Sequence, residues 1–397
     1  MLTPADLAAL DAADPLARFR DRFDLPGGVA YFAGNSLGPP PRAAAARLES
    51  VVRRQWGGAL VEAWTGCGWI EAPARVGGKI AGLIGAMPHE VVVADSTSVD
   101  LFKLILAALR AAPGRKSVLM VEGEFPTDVY VATGAAELAG ARIRRVERGA
   151  LQGALDQDVA LLLLTHAHYR TAELYDMAEV GRWAHEAGAL VLWDLSHSTG
   201  VAEVDLNTSR ADLAVGCGYK YLNGGPGAPA FLFVAERHQA HLATPIAGWM
   251  GHAAPFEFAD SYAPAPGVSR FLCGTPPILS LAALETAIDL FAGADMAVLA
   301  AKARKLGDVF LELAAERCPA LEPICPGPGR LRGGHVAFRH PQAARLLAEL
   351  GRSGVIADVR GPDILRFGCS PLFVSFADVG RAVEALQAAL NPVGADA

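Results

Sequence analysis

The chain has 397 residues, of which 52% are hydrophobic and 19% charged, with 42 Gly and 26 Pro. This composition is typical of a globular protein with a sizeable core and disfavours disordered, coiled-coil and collagen-like classes. The 35 basic and 42 acidic side chains give a net charge of −7. A broad basic face for nucleic-acid phosphates is therefore not expected, and the protein is not expected to bind nucleic acid.

Three features of the chain bear on its compartment. The six cysteines form no C-x-x-C pair, which indicates reduced thiols rather than a disulfide framework. The N-terminal stretch MLTPADLAALDAADP has acids and prolines where a signal peptide needs a basic start and an unbroken apolar run. The longest apolar runs are far below the roughly 20 residues that cross a bilayer. We therefore expect a cytoplasmic protein with no membrane partner.

Residues 1–50 are expected to form an N-terminal arm and loop. Their most distinctive segment, YFAGNSLGPPPR, is rich in Gly and Pro and predicts an ordered loop at a domain interface rather than a regular element.

The middle of the chain alternates between strand-like and helix-like segments. Short apolar runs bounded by Gly, Pro, Asp or Ser predict strands that are buried on both faces. These runs are 91–94, 117–121, 159–164, 190–193, 213–216 and 230–234. Helical spacing of apolar residues follows Ser96-Thr97-Ser98 and recurs over 177–187. The alternation predicts an α/β fold with a mostly parallel sheet in a large domain covering 51–290.

The pattern changes near residue 290. Predicted helices cover 278–291, 296–317, 341–350 and 376–390, and predicted strands lie at 334–338, near Val355 and near Leu365. This order predicts a smaller C-terminal α+β domain over 291–397.

A carboxylate and a lysine follow neighbouring strands. Asp194 ends the strand in LVLWDLSH, and Lys220 lies 26 residues later, just past the next strand. Ligands bind at the carboxyl ends of strands in open α/β sheets. Pyridoxal phosphate (PLP) needs both groups, since it takes an imine from a lysine while a carboxylate keeps its pyridine nitrogen protonated. Either residue alone is more often a helix cap or a solvated side chain.

Two further segments fit the same cofactor. Asp95-Ser96-Thr97-Ser98 lies where a strand passes to a helix, and free backbone N–H groups at that point bind phosphate. Phe125 follows a strand and is placed to stack on the ring. Ordinary N-capping and core packing remain the alternatives for these residues.

Two other motifs are set aside. His166 and His168 would place two imidazoles on one strand face, as in some metal sites, but no carboxylate or Cys accompanies them at ligand spacing, so no metal is expected. The glycine clusters 327–329 and 224–227 lack the dinucleotide-binding pattern. Gly224, Gly225 and Gly227 are expected to form the turn after the lysine.

The chain resembles the kynureninase family in six motifs: YFAGNSLG, EFPTD, WDLSHSTG, GYKYLNGGPGAPAFLFV, GWMGH and FLCGTPPILSL. The resemblance runs over nearly the whole chain and implies the aspartate aminotransferase-like fold (fold type I), PLP as cofactor and a homodimer with shared active sites. The implied reaction is hydrolysis of L-kynurenine to anthranilate and L-alanine in tryptophan degradation, on a catabolic or an NAD-biosynthetic route.

The resemblance also implies roles for individual residues. Lys220 would bind PLP as an imine, Asp194 would pair with the ring nitrogen, and His197 would touch the same end of the ring. Tyr219 would contact phosphate and is a candidate for acid–base steps. The other implied cofactor contacts are Thr97, Ser98, Phe125, Asp128 and Thr165, with Trp249 and Thr275 from the neighbouring subunit.

Substrate contacts follow from the same resemblance. Arg366 matches the arginine that binds the substrate's α-carboxylate, while Trp64, Gly274 and Thr275 match positions that distinguish bacterial-type from animal-type members. An indole wall favours a bare aminophenyl ring, which predicts a preference for L-kynurenine over its 3-hydroxy derivative. The chain departs from the family pattern at Phe32-Ala33 and around Arg170, outside the core chemistry.

Three rival readings use the same fold or cofactor. A cysteine desulfurase or selenocysteine lyase usually has His directly before the lysine, where this chain has Tyr219. Another fold type I aminotransferase would regenerate the amine form of the cofactor with an oxo acid. A PLP-sensing regulator would need a basic DNA-binding module in front, and the N-terminal residues are acidic.

Overall fold

The computed structural model describes residues 2–391. Its strands are β1 (Ala30–Tyr31), β2 (Val91–Ala94), β3 (Ser117–Val121), β4 (Arg142–Val146), β5 (Val159–Thr165), β6 (Leu190–Asp194), β7 (Leu213–Cys217), β8 (Ala230–Val234), β9 (Glu322–Pro323), β10 (His335–Arg339), β11 (Val355–Ile356), β12 (Asp358–Arg360) and β13 (Ile364–Gly368). Its α-helices are α1 (Pro4–Ala12), α2 (Arg42–Ser50), α3 (Gly57–Ala59), α4 (Ala63–Gly66), α5 (Ala72–Ala81), α6 (Thr97–Ala111), α7 (Pro126–Leu138), α8 (Leu151–Ala154), α9 (Met177–Glu186), α10 (Glu236–Gln239), α11 (Ile278–Ile288), α12 (Met296–Arg317), α13 (Ala343–Arg352) and α14 (Phe376–Leu390).

The central sheet has seven strands in the order β2-β8-β7-β6-β5-β3-β4. The neighbours from β7 to β4 are parallel, whereas β8 runs antiparallel to both β2 and β7. Alternate residues of β5 enter two different apolar clusters, with Leu162 and Leu164 in one and Leu161 and Leu163 in the other. Because both faces are buried, the strands read as continuous apolar runs, and the predicted α/β fold with a mostly parallel sheet is confirmed.

The element bounds differ from the sequence predictions in a few places. The long helix predicted over 278–291 ends as an α-helix at Ile288 and continues as a 3₁₀ turn over Asp289–Gly293. The strand β4, with sequence RIRRV, was not predicted because it lies at the sheet edge and is half-exposed. Charged side chains on an edge strand prevent edge-to-edge pairing, and they also hide the apolar signal of a strand.

A second sheet lies in the C-terminal part of the chain. It has the order β12-β13-β10-β9 and is antiparallel. The N-terminal residues pack against this part, since β1 pairs in parallel with β11 and Asp11 accepts hydrogen bonds from the backbone N–H groups of Phe376 and Ala377 at the start of α14. The domain limits 51–290 and 291–397 stay a prediction.

The Gly-rich loop after β1 runs between the two sheets. Gly38 donates its N–H to the carbonyl of Tyr219 at 2.8 Å. A Cβ at Gly38 would lie 2.5 Å from the carbonyl oxygen of Lys220 and 2.7 Å from the Cα of Asn223. Only glycine permits so close an approach of two backbones, which explains why this turn-rich motif accompanies the lysine segment.

Asp212 joins two neighbouring strands of the central sheet, β6 and β7. The buried carboxylate accepts hydrogen bonds from Val191 N at 2.9 Å, His185 Nε2 at 2.8 Å and His238 Nε2 at 2.8 Å. Burial alone would raise the pKa of Asp212, but the hydrogen bonds from the two histidines outweigh it and lower the pKa. The ionised carboxylate therefore ties β6 to the segment that begins β7.

Within residues 2–391, no helix combines the length and apolar character needed to span a membrane.

Candidate active site

A cavity of about 230 Å³ opens at the carboxyl edge of the central sheet. It is lined by Thr97, Ser98, Phe125, Thr127, Asp128, Thr165, Asp194, Ser196, His197, Tyr219 and Lys220. Nine of these residues are the cofactor contacts anticipated from the sequence within a single chain. Segments up to 123 residues apart thus meet because parallel strands present their carboxyl ends at one edge.

Strand pairing sets the floor of the cavity. Asp194 is the last residue of β6, and its Cα partner in the adjacent strand is Thr165, the last residue of β5. The Asp194 carboxylate accepts a hydrogen bond from Ser196 N at 2.7 Å. Lys220 lies three residues past the end of β7, so all three side chains arise from neighbouring strand ends.

The N-terminus of α6 forms one wall. Ser96 caps the helix by accepting from Val99 N, and Thr97 and Ser98 are its first two residues. Backbone N–H groups in the first helical turn have no partner inside the helix, and the helix dipole adds positive potential there. This wall therefore suits a phosphate group.

The residue before the cap is held in a strained backbone conformation. Asp95 has φ +42°, a region that non-glycine residues rarely adopt. Its carboxylate accepts a hydrogen bond from the fully buried Lys103, whose ammonium also donates to the carbonyl of Phe271 at 2.7 Å. The ion pair fixes the turn that aims the start of α6 at the cavity.

The lysine contacts a buried histidine. Lys220 Nζ lies 3.0 Å from His197 Nε2 and 5.7 Å from the ring centre of Phe125. Burial, reinforced by the positive charges of Lys220 and Arg366, holds the pKa of His197 well below its usual value. A neutral imidazole accepts at one nitrogen and donates at the other, so with Lys220 as donor the proton of His197 lies on Nδ1.

Two carboxyl groups, those of Asp128 and Asp194, also line the cavity. Burial is the main cause that raises the pKa of Asp128 well above its usual value, and the adjacent charge of Asp194 adds to it. Like charges at close range favour one shared proton. The charge of Lys220 only partly opposes this rise, so the raised pKa favours the protonated form of Asp128.

The residues present fit PLP. Asp128 Oδ2 and His197 Nδ1 are buried and have no hydrogen-bond partner in the described part of the chain, whereas nearly all buried polar atoms in proteins are paired. Both residues line the cavity that also holds an aromatic ring, a lysine and a helix N-terminus. A ligand with a positive ring nitrogen and a phosphate would satisfy these groups together.

Tyr219 borders the lysine. Burial raises the pKa of its phenol far above the ordinary value, and a hydrogen bond with Cys217 and nearby negative charge act in the same direction. The phenol therefore remains a hydrogen-bond donor at any physiological pH.

Four anticipated residues lie outside the cavity of the single chain. Trp64 packs edge-to-face on Trp69 and Trp249, with ring centres 5.4 and 6.2 Å apart. Gly274 and Thr275 line a separate small cavity beside Asp95. Their roles stay predictions, and those of Trp249 and Thr275 depend on a second subunit.

Arg366 is also outside the lining but lies nearby. It is fully buried on β13, and its Nε donates to Asp358 Oδ1 at 2.8 Å while its Nη2 donates to the second carboxylate oxygen. Its Nη1 donates to the carbonyl of Tyr169. Asp358 thus holds one side of the guanidinium, and one N–H of Nη1 is left for another acceptor.

The sequence reasoning gave no role to several groups that the structure brings to the site. Glu124, within the motif EFPTD, is buried and accepts hydrogen bonds from Thr165. Asp358 orients Arg366 and accepts from Ser36, a residue 322 positions away. His335 lies on β10 with its ring centre 5.9 Å from that of His197. Only Glu124 had a local signal, its place next to Phe125.

The two histidines considered for metal are bonded within the protein. His166 Nδ1 lies 2.9 Å from Ser198 Oγ, and His168 Nε2 lies 3.0 Å from the carbonyl oxygen of Gly123. Across residues 2–391, no group of three or more His, Cys, Asp or Glu side chains is arranged to hold a metal ion.

The fold and the site together define a PLP-dependent enzyme of fold type I. Among solved structures, the chain is similar to the cystine C–S lyase C-DES with its PLP cofactor, with a TM-score of 0.81 and 15% identity, covering 93% of this chain and 98% of the other. It is also similar to the cysteine desulfurase CsdA from Escherichia coli, with a TM-score of 0.78 and 19% identity, covering 98% and 99% of the two chains. At these identities the likeness establishes the fold.

Sequence comparison gives the particular family. Residues 299–386 match the model of the kynureninase C-terminal domain. The chain is 48% identical to the kynureninase of Deinococcus radiodurans over 396 residues, and 45% identical to that of Burkholderia mallei over 400 residues, covering 98% of this chain and 96% of each relative. The chain belongs to the kynureninase family, and the resemblance read from its motifs is confirmed.

We expect Lys220 to be the lysine that binds PLP, because it alone among lysines lines the described cavity. Borohydride reduction of the PLP-loaded protein should fix the cofactor to the peptide that contains Lys220. Lys220→Ala should yield no reduced adduct, while Lys302→Met, which removes another buried lysine, should still yield it. A label on any other peptide would contradict the assignment.

Proposed function

We propose that this member of the kynureninase family hydrolyses L-kynurenine to anthranilate and L-alanine with the side chains of the described cavity. One water is consumed, the bond between Cβ and Cγ breaks, the carbonyl carbon becomes the carboxylate of anthranilate, and Cβ gains a proton. Bound PLP supplies an electron sink for charge that develops on the substrate's α- and β-carbons. The observation that carries the proposal is the meeting of Lys220, Asp194, Phe125 and the α6 N-terminus at one cavity.

Lys220 is proposed to move protons as well as to hold the cofactor. As a free amine, Lys220 would be able to take or give protons in the cavity that it lines. His197 lies 3.0 Å from its Nζ and is kept neutral by burial. A neutral acceptor at this distance orients the amine by a hydrogen bond and places no positive charge of its own beside it.

Asp194 and Asp128 are proposed to hold the ring nitrogen in its protonated form. Asp194 is fixed by Ser196 N and by its place at the end of β6. Asp128 has one oxygen without a partner in the described residues. Burial and the charge of Asp194 both raise the pKa of Asp128, and a positive ring nitrogen beside them would offset the like-charge repulsion.

Thr97, Ser98 and Tyr219 are proposed to bind the phosphate. The first two stand in the first turn of α6, where N–H groups and hydroxyls converge. Tyr219 adds a phenol that burial keeps protonated. Three donors of this kind match the acceptor oxygens of a phosphate.

Arg366 is proposed to bind the α-carboxylate. Asp358 fixes the guanidinium plane through two hydrogen bonds, and a planar fork is suited to a carboxylate. Arg360 lies 3.4 Å from the same Asp358 carboxylate, so two positive groups face one negative group. The positive charge of this pair reaches the cavity, since it contributes to the lowered pKa of His197, and it favours an anionic substrate group.

A homodimer with shared sites is proposed for the residues outside the cavity. Trp249 and Thr275 would reach the neighbour's cofactor, while Trp64 and Gly274 would border the substrate. Exposed apolar side chains support such an interface: Trp56, Leu60, Val61, Phe256 and Phe258 are between 52% and 77% exposed in the single chain. The unpaired cysteines of the described chain accord with the proposed cytoplasmic compartment.

The central experiment is direct. The PLP-loaded protein should convert L-kynurenine to anthranilate, followed by its fluorescence, and to alanine in a one-to-one ratio. Cysteine and a panel of amino acids with oxo acids serve as rival substrates. Release of sulfide or transfer of the amino group at higher kcat/KM than anthranilate formation would overturn the proposal.

Loss of Arg366 should weaken substrate capture. Removing one partner of a buried charged pair costs roughly 2 to 5 kcal/mol, so Arg366→Ala should lower kcat/KM by about 30-fold to several thousand-fold. Arg360→Ala, which also removes a positive neighbour of Asp358, is the matched control and should lower kcat/KM far less. Thermal unfolding of both variants separates lost binding from lost stability. Equal losses of kcat/KM would remove Arg366 from the site.

Shared sites predict complementation. Lys220→Ala and Trp249→Ala should each be inactive alone, but their mixture should regain activity after subunit exchange. One hybrid site in each mixed dimer would carry both intact residues. No recovery, with exchange verified by mass, would count against shared sites.

The ring preference is tested with both substrates. The natural protein should show higher kcat/KM for L-kynurenine than for 3-hydroxykynurenine, because the indole of Trp64 offers no partner to a ring hydroxyl. The double variant Trp64→His, Thr275→Asn should move the ratio toward the hydroxylated substrate. Trp69→His, which alters the neighbouring indole instead, is the control. An unchanged ratio in the double variant would show that other residues set the choice.

A further inference from the structure

Glu124 is a buried acid that none of the steps above uses. It is 5% exposed and lies one residue before Phe125. Its Oε2 accepts from Thr165 N at 3.2 Å and also from the Thr165 hydroxyl. Thr165 itself lines the cavity and is the strand partner of Asp194. The carboxyl therefore stands directly behind a hydroxyl that faces the cofactor site.

A hydroxyl has one proton and two lone pairs. When the Thr165 proton points to Glu124, the oxygen can only accept a hydrogen bond from a group in the cavity. When the Thr165 proton no longer points to Glu124, the hydroxyl can donate it in a hydrogen bond to a group in the cavity. The direction of this single hydrogen bond thus decides which chemical group Thr165 can bind.

We propose that Glu124 is a positioning residue that sets the polarity of the Thr165 hydroxyl, accepting its hydrogen bond so that Thr165 presents an acceptor to bound PLP. The inference rests on the proposed contact between Thr165 and the cofactor. It assigns a role to Glu124, the first residue of the EFPTD motif, which the proposed reaction leaves unused.

The polarity is reversible because Glu124 can itself take up a proton. Burial raises the pKa of Glu124 to about 7, although hydrogen bonds from Thr165 partly oppose the rise. A protonated Glu124 donates to Thr165, which frees the threonine proton for the cavity. Lower pH therefore converts Thr165 from acceptor to donor, and higher pH restores the acceptor.

Other charged groups around Glu124 are few. Asp194 on β6 and Asp128 on α7 add negative charge, and the nearby Arg148 adds positive charge. The Tyr175 phenol also faces Glu124, and its pKa of about 12 keeps it neutral. Asp128 is the other acid here whose pKa burial raises, so the Glu124→Gln variant described below separates its titration from that of Glu124.

The experiment follows the absorbance of PLP bound to the full-length protein as pH is varied. The natural protein should show a transition near pH 7. Glu124→Gln keeps an acceptor oxygen but cannot ionise, so this transition should vanish. Thr165→Val should abolish it while leaving Glu124 in place, and Thr165→Ser, which keeps the hydroxyl, should retain it. Glu122→Gln, an exposed neighbour, is the matched control and should retain it as well.

Three results would overturn the proposal. A transition that persists in Glu124→Gln would belong to another group. A transition unchanged in Thr165→Val would mean that Glu124 acts through space rather than through the hydroxyl. A lower melting temperature in Glu124→Gln with an intact transition would leave Glu124 a structural role only. Because the absorbance needs no turnover, failure to cleave kynurenine would sink the proposed function and not this inference.

Discussion

The pairing of Thr165 with Asp194 at the ends of β5 and β6 is the constraint on which the site depends. It is fixed by the register of two strands that are buried throughout, so a slip of one residue would turn each of these side chains to the opposite face. Burial of the strands also forces each polar group at their ends to find a partner. Glu124 accepts a hydrogen bond from Thr165, and the backbone N–H of Ser196 donates one to Asp194. The apolar sheet thereby determines both where the polar groups stand and how few partners they can have.

A second constraint joins the C-terminal sheet to this edge. Asp358 binds Arg366 and Ser36, and the loop that carries Ser36 reaches the lysine segment through Gly38. The guanidinium proposed to recognise substrate and the lysine proposed to hold PLP are thus linked by one short loop. The hydrogen bonds of this loop therefore help to hold Arg366 in place relative to the lysine segment.

The sequence predicted the sheet and most of the cavity but not the contacts across long separations. Asp194 and Lys220 were found because each follows an apolar run, and a run buried on both faces has few alternatives to a parallel strand. Asp358 was missed because its partner Ser36 is 322 residues away, and no local pattern encodes such a meeting. The strand β4 was missed because its edge position calls for charge instead of apolar residues. Local signals thus recover strand ends, whereas pairings between distant segments require the folded chain.

The cavity is electrically asymmetric, and this asymmetry orients its contents. Asp128 and Asp194 line it, whereas Arg366 and Arg360 lie outside its lining and contribute to the lowered pKa of His197. A molecule with a positive ring nitrogen and a negative carboxylate therefore has one favourable direction of entry. Burial, together with the charge of Asp194, raises the pKa of Asp128 and favours its protonated form. The same protonation leaves a donor available until a cation arrives, so the site avoids the full cost of two buried like charges. Charge placement, rather than shape alone, thus selects a zwitterionic cofactor–substrate pair.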